Sequence, residues 1–414
     1  MSRLTAPRGT FDILPEDARA RAELERVATE LLEAAGYGRI ETPTFESTEL
    51  FARGVGEATD IVQKEMYSFE DAGGRSLTLR PEGTAPVCRA YVEHGMRKLA
   101  APVRLYYLSS FYRAERPQAG RYRQFWQLGV EALGSDDPAV DAEVITLLAA
   151  VLEALGARGL RLRLSSLASP QTRAAYREEL AAYLRANAER LAPVVRDRIE
   201  LNALRAFDSD DPQTREVMAA APRLLDRLDP EDAEHFAAVR ELLEHAGVPY
   251  EVDPTLVRGI DYYTRTVFEF TSDALGAQSG VGGGGRYDGL VELLGGPPTP
   301  GIGWAAGVER MLMAAGQPDA AALAPPAPVL FVAHDGGARA QAFAVLVHAR
   351  RAGIAAQMEM AGRTLKGQLK QADRLGVRFL AIVDSEGVRL RDRRAGGEEL
   401  VEPGEVAERI GAAG

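Results

Sequence analysis

Apolar and polar positions alternate most sharply between Arg104 and Glu131, RLYYLSSFYRAERPQAGRYRQFWQLGVE. Two runs suited to β-structure flank a polar loop that holds Pro117, Gly120 and the arginines Arg113, Arg116, Arg121 and Arg123. Residues two apart share one face of a strand. Phe111, Arg113 and Glu115 therefore form one row, and Arg121, Arg123, Phe125, Gln127, Gly129 and Glu131 a second. The opposite row, Tyr122, Trp126, Leu128 and Val130, is largely apolar and predicts a core face. A sheet face bearing arginines, an amide and a carboxylate is costly unless a ligand satisfies those groups. Two readings stand: an exposed hairpin with solvated arginines, or a platform with Arg113 on a phosphate and Phe125 under a flat ring. Arginine suits phosphate because its rigid fork donates two parallel hydrogen bonds.

Elsewhere the periodicity changes from segment to segment. Leu24, Val27, Leu31 and Leu32 recur at helical spacing, so a helix capped by Asp17 is expected to run to about Ala35, ended by Gly36. GRIETPTFESTELF reads as a strand interrupted by Pro43, suited to an edge or to a dimer seam. SLTLRPEGTAPVCRAY alternates until Pro81, which puts Glu82 and Thr84 at a strand-to-helix turn; either both line a ligand site, or Thr84 simply caps the helix and Glu82 faces water. SDDPAVDAEVITLLAAVLEALG predicts an amphipathic helix opened at Asp136–Pro138. Residues about 170–247, rich in Ala, Arg and Glu, read as a helical insertion, with DSDDP at 208–212 as a capping turn rather than a cation site. PYEVDPTLVRGIDYYTRTVFEFTSD returns to strand composition, followed by SGVGGGGRYDG. Its glycines formally match G-x-G-x-x-G, but the βαβ context is missing and no Lys-Ser/Thr pair follows. Close approach of backbone to a ligand explains them better. GIGWAAGVERMLMAAG leads from strand to helix, with Arg310 in its first turns as a surface residue or a second phosphate clamp. After the Pro/Ala linker GQPDAAALAPPAP, strands and helices alternate as in a small, mostly parallel α/β domain. Lys366, Lys370 and Arg374 share one helical face there.

Composition narrows the class. A chain of 414 residues exceeds one core, so more than one domain is expected. With 46% hydrophobic and 26% charged residues the chain is globular in type. No apolar run approaches the roughly 20 residues that span a bilayer, and MSRLTAPRGTF lacks the apolar core of a signal peptide. Cys88 is the only cysteine, which removes disulfides and thiolate zinc sites and favours a cytoplasmic address. The net charge of −11 argues against a basic footprint over the whole chain, but not against a local one around Arg116.

Taken together, the motifs resemble the histidyl-tRNA synthetase family of class II synthetases, over nearly the whole chain. ETPTFESTELF resembles the family's motif 1, FYRAERPQAGRYRQFWQLGVE its motif 2 and GIGWAAGVER its motif 3. LVRGIDYYTRTVFEF and GGRYDG resemble the histidine-specific signatures, and the class I signatures are absent. The resemblance implies an α+β fold: a class II antiparallel sheet flanked by helices in a catalytic domain at 1–324, the helical insertion, and an anticodon-binding α/β domain at 325–414. It also implies a homodimer that takes histidine, ATP with Mg2+, and tRNA(His). By the same resemblance Glu82, Thr84 and Gln127 hold the α-ammonium. Glu131 and Tyr263 recognise the imidazole, and Tyr262 and Tyr287 belong to the same pocket. Arg113 binds the α-phosphate, Phe125 stacks on adenine, and Arg310 holds the γ-phosphate. Glu115 and Arg121 complete the ATP site. Arg258, with Arg113, carries catalysis by bridging the histidine carboxylate and the α-phosphate. Arg116 and Gln118 meet the tRNA acceptor end, and no protein-bound metal is expected. The competing expectation is an inactive paralogue that regulates ATP phosphoribosyltransferase; intact signatures and a C-terminal domain weigh against it. A histidine-sensing module of a kinase is disfavoured because no kinase motif accompanies it.

Overall fold

A computed structural model describes residues 4–56, 59–256, 260–276, 279–316 and 328–413, apart from the side chains of residues 201, 202, 205 and 208. The chain divides into two compact units, Met1–Pro318 and Asp319–Gly414. The boundary expected at 324/325 and most of the Pro/Ala linker lie outside the described residues.

In the first unit the strands, in chain order, are β1 Gly38–Arg39, β2 Phe45–Ser47, β3 Tyr67–Glu70, β4 Ser76–Leu79, β5 Val103–Tyr112, β6 Gln124–Leu133, β7 Leu160–Ser166, β8 Glu251–Val252, β9 Thr264–Ser272, β10 Gly280–Arg286 and β11 Gly301–Gly307. Among the described residues eight of them form one sheet in the order β1-β5-β6-β11-β10-β9-β7-β8. Every neighbouring pair is antiparallel except the two edges, where the short β1 and β8 run parallel to β5 and β7. β2, β4 and β3 form a separate small sheet. The expected single strand over 38–51 is therefore split. Pro43 interrupts it, β1 and β2 join different sheets, and Thr48 starts a helix.

One face of the large sheet is the core. Leu128 and Val130 of β6, Phe268 and Phe270 of β9 and Ile302 and Trp304 of β11 are buried there. Helix α1, Pro15–Ala34, lays Leu24, Ala28 and Leu32 on that face at a spacing of four. It starts two residues before the expected cap: Pro15 takes the first turn, where its missing N–H costs nothing, and Asp17 lies inside the helix. Helix α2 spans Thr48–Val55 and α3 Thr84–Glu93. Helix α4, Pro138–Ala154, is capped by Asp137, which accepts from Ala139 N; it is buried over the same core.

The segment at 170–247 is helical, as its composition implies. Its early elements build their own cluster around Tyr176, Leu180, Leu184 and Val217. Its last helix, Pro230–His245, instead sends Phe236, Val239 and Leu243 into the core of the large sheet. In DSDDP, Asp211 caps the helix Pro212–Ala219 and accepts from Thr214 N at 2.7 Å.

The second unit holds a five-stranded sheet, with strands Leu330–His334, Ala356–Met358 and Phe379–Asp384 parallel. An antiparallel hairpin of Gly387–Asp392 and Gly397–Val401 completes it. Lys366, Lys370 and Arg374 are exposed on the helix Leu365–Leu375.

Candidate active site

The other face of the large sheet carries the polar row. Across the β5–β6 ladder Phe111 pairs with Phe125, Ser109 with Gln127, Tyr107 with Gly129 and Leu105 with Glu131. Beyond the strand ends Arg113 N donates to Arg123 O at 3.0 Å, so the ladder continues into the loop. Arg113 lies over the Phe125 ring, 5.4 Å from its centroid, and its Nε donates to Pro81 O at 2.9 Å. A wide polar cavity of about 700 Å3 opens here, lined by Arg113, Glu115, Arg121, Phe125, Gln127 and Arg310. Arg310 Nε donates to Gly280 O. Burial, and then the neighbouring Arg121, lower the Arg310 pKa, against the opposing pull of Glu269 and Glu115. Glu115 and Arg121 form a loose pair at 3.5 Å. Arg116 and Gln118 lie exposed on the loop that closes back through the Gln118–Arg121 backbone bridge. Arg123 leaves the polar row: its Nη1 donates to Arg8 O at 3.3 Å, and it ties the N-terminal lead-in to the hairpin.

A second, more enclosed cavity of about 300 Å3 adjoins the first, with Arg113, Arg121, Gln127, Gly283 and Ala305 in both walls. Glu82, Thr84, Tyr107, Tyr262, Tyr263 and Tyr287 line it. Glu82 is buried and caps α3, accepting from Thr84 N at 2.7 Å and Ala85 N at 3.0 Å. Burial raises its carboxyl, against the pull of those two N–H groups. The cap expected of Thr84 thus falls to Glu82, which lines the cavity and does not face water. Glu131 is wholly buried behind the cavity wall. It accepts from Thr84 Oγ1 at 2.7 Å and from the Tyr287 hydroxyl. Burial pushes its carboxyl up to about 8, although those hydroxyls favour the charged form; Glu82 adds to the rise. Gly303 leaves the room it occupies, because a Cβ there would collide with Glu131 Oε2. Tyr262 packs edge-on against both Tyr263 and Tyr287, at centroid distances of 4.8 Å and 5.7 Å. Gln127 Oε1 is buried without a hydrogen-bond partner.

The sequence profile described as histidyl-tRNA synthetase matches residues 9–311. The chain belongs to the histidyl-tRNA synthetase family. It is 47% identical over 412 residues to a histidine–tRNA ligase of Desulforudis audaxviator, covering 98% of both chains. It is 50% identical over 382 residues to that of Halorhodospira halophila, covering 92% of this chain and 89% of the relative. The crystal structure of apo Staphylococcus aureus histidyl-tRNA synthetase is similar at a TM-score of 0.79, with 36% identity and 99% and 100% of the two chains covered. Large antiparallel sheet, flanking helices and class II architecture agree with that likeness.

Within this family member most of the polar residues expected from the sequence line the two cavities; Glu131 lies behind the wall, Arg116 and Gln118 are exposed on the loop, and Arg258 lies outside the described residues. Other functional neighbours were not singled out from sequence. Tyr107 and Ile260 line the smaller cavity, and Arg163 and Glu269 the larger. The row already held the signal for Tyr107, which stands four residues before Phe111 on the same face. Glu309 works differently from its neighbour Arg310. It binds Arg21 of α1 at 2.6 Å and accepts from Trp126 N, so it locks the core side of β6. Arg286, in the GGRYDG signature, has no exposed surface and points away from the cavities to Asp141, 2.6 Å away. Its role is structural.

Proposed function

We propose that this enzyme is a histidine–tRNA ligase. It joins histidine to ATP to form histidyl-adenylate and pyrophosphate, then transfers the histidyl group to the 3′ end of tRNA(His). The observation that carries the proposal is the junction of the two cavities at Arg113 and Gln127. A space that brings Arg113, Arg121, Arg163 and Arg310 together with the Phe125 ring meets a smaller one lined by Glu82 and four tyrosines. An amino acid seated in the smaller space presents its carboxylate at that junction, where a nucleotide in the larger one presents its α-phosphate.

In this reading Glu82, Thr84 and Gln127 hold the α-ammonium, and the unpartnered Gln127 Oε1 is an acceptor waiting for a donor. Glu131, Tyr263, Tyr262 and Tyr287 form the imidazole pocket. Arg113 binds the α-phosphate and Phe125 the adenine. Glu115, Arg121 and Arg310 complete the ATP site, with Arg310 on the γ-phosphate. The carboxylate nucleophile is already ionised near neutral pH, so adenylation needs no general base. It needs alignment and cations against the charge developing on phosphorus. Arg113 supplies one, and Arg258 is assigned the other from its place in the LVRGIDYY signature. Mg2+ would enter with the nucleotide substrate and supply positive charge against its phosphates; Glu115 and Glu269, which line the same cavity, would offer it oxygen donors. No histidine falls within the motifs. The proton released on transfer is therefore assigned to a phosphate oxygen of the adenylate.

The exposed Arg116 and Gln118 are assigned to the acceptor end of tRNA(His), and the second unit, with its Lys366, Lys370 and Arg374 face, to the anticodon. Phe45 and Phe69 support a homodimer. They pair at 6.2 Å on the small sheet while 50% and 44% exposed, an apolar patch to which the segment that resembles motif 1 contributes Phe45. Cytoplasmic work follows from the reaction. Pyrophosphate exchange measured with each amino acid in turn tests the proposal. Histidine alone should support it, and no exchange with histidine would favour the regulatory paralogue.

A further inference from the structure

One wall of the smaller cavity is built on the helical insertion. Tyr263 lines the cavity and also belongs to the insertion's own apolar cluster, with Ala168, Tyr176, Leu180 and Leu256. Ile260 and Tyr262, in the same wall, pack against that cluster.

The backbone is joined in the same place. At the start of β9, Arg286 pairs with Thr264 while its neighbour Gly285 pairs with Val267, so Arg265 and Thr266 bulge out of the ladder to β10. A bulge re-aims the residues beside it. Arg265 takes φ 42°, and Ala168, just before the insertion, takes φ 56°; among the described residues no other non-glycine position has a positive φ. The two hold each other. Arg265 N donates to Ala168 O at 3.0 Å, and Leu167 N donates to Arg265 O at 2.7 Å. Asp232, on the insertion's last helix, accepts from Arg265 Nε at 2.9 Å and from Ser169 N at 2.6 Å. Backbone in so sparsely populated a region persists only where its surroundings over-determine it, and such places gather at functional sites. The carbonyl of Tyr263, at the edge of the bulge, accepts from Arg173 Nη1 on the helix Pro170–Ala186. Arg173 is half-buried and lines neither cavity. A hydrogen bond from a charged donor is stronger than a neutral one, so this contact fixes the peptide that follows Tyr263.

We propose that Arg173 is a positioning residue for amino-acid activation: it grips the Tyr263 carbonyl from the insertion and so sets where the Tyr262–Tyr263 wall stands, without touching substrate. The assignment rests on the smaller cavity being the histidine pocket. It makes the insertion one side of that pocket, and a shift of its first helix reaches the wall through a single hydrogen bond.

Two variants test it. Arg173→Met keeps the apolar stem and removes every donor, whereas Arg173→Lys keeps one cationic donor. Pyrophosphate exchange gives KM for histidine and for ATP, and thermal unfolding followed by circular dichroism gives the melting temperature. In Arg173→Met the histidine KM should rise on the order of tenfold, the scale of one hydrogen bond to a charged group. The KM for ATP should stay at the parent value and the melting temperature within a few degrees of it. Arg173→Lys should recover most of the loss. An unchanged histidine KM in Arg173→Met overturns the proposal. So do equal rises for histidine and ATP, because they would report loosened packing rather than a displaced wall. Failure of Arg173→Lys to improve on Arg173→Met overturns it as well. Absence of histidine-dependent exchange in the unsubstituted enzyme would instead remove the functional reading, independently of Arg173.

Discussion

Glu131→Gln probes the electrostatics behind the wall of the smaller cavity. Glu131 has no exposed surface, and burial pushes its carboxyl from an ordinary 4.5 to about 8. The folded enzyme therefore keeps a proton at pH values where the unfolded chain has released it. This group's contribution to stability is complete below about 4.5, declines as pH rises, and is lost once pH passes about 8. The interval between those two values corresponds to on the order of 5 kcal/mol. Glutamine resembles the protonated acid in shape and cannot ionise. The substitution should thus cost little at pH 5 and should make the protein more stable than the parent at pH 9. Denaturant unfolding of both proteins across this range, followed by circular dichroism, measures the difference; groups common to both largely cancel. If the two stability curves run parallel from pH 5 to 9, Glu131 does not hold the proton and the argument from burial fails. The same variant should raise the KM for histidine far more than that for ATP. An unchanged histidine KM would remove Glu131 from the imidazole pocket.

Three other perturbations reach different parts of the molecule. Gly303→Ala places a Cβ against Glu131 Oε2 and Val130 O in the centre of the sheet, and overpacking of this kind should destabilise by about 1–3 kcal/mol or more; an unchanged melting temperature would show that the strand can shift. Arg258→Ala should abolish pyrophosphate exchange with little loss of folding, read by exchange and circular dichroism together, and retained exchange would refute its assigned role. Removal of residues 325–414 should weaken charging of tRNA(His) much more than adenylate formation, while equal losses would contradict the division of labour between the units.

Alternation made the hairpin legible. Its parity separated Leu128 and Val130, now in the core, from Phe125 and Gln127 at the cavities. Parity does not say where a strand stops, so Arg123, aligned with Phe125 by counting, turned to Arg8 once the backbone left the sheet. Caps were legible where a short acidic side chain precedes proline, as at Asp137 and Asp211. The cap of α3 was harder to read because Glu82 reaches across Gly83 to the Thr84 and Ala85 N–H groups. The large cavity followed from arginines that one stretch of chain displays. The smaller one is assembled from α3, β5, β6 and the Tyr262–Tyr263 and Tyr287 segments, and no local period reports such a meeting. Resemblance to a family supplied those long-range assignments. It did not indicate that Glu131 would lie behind the wall with both oxygens already engaged.

That last arrangement bears on how the pocket distinguishes ligands. If Glu131 faced the cavity as a bare carboxylate, any cationic side chain would satisfy it, and lysine or arginine would compete with histidine. Here Thr84 and Tyr287 stand in front of it and donate to it. Each hydroxyl that donates backwards presents a lone pair forwards, so a ligand meets oriented acceptors rather than the carboxyl itself. An oriented acceptor rewards a planar N–H in one direction and gains little from a flexible ammonium that must lose rotamer freedom to reach it. In the proposed reading, selection of histidine then depends on Thr84 and Tyr287 standing in front of Glu131 as much as on Glu131 itself.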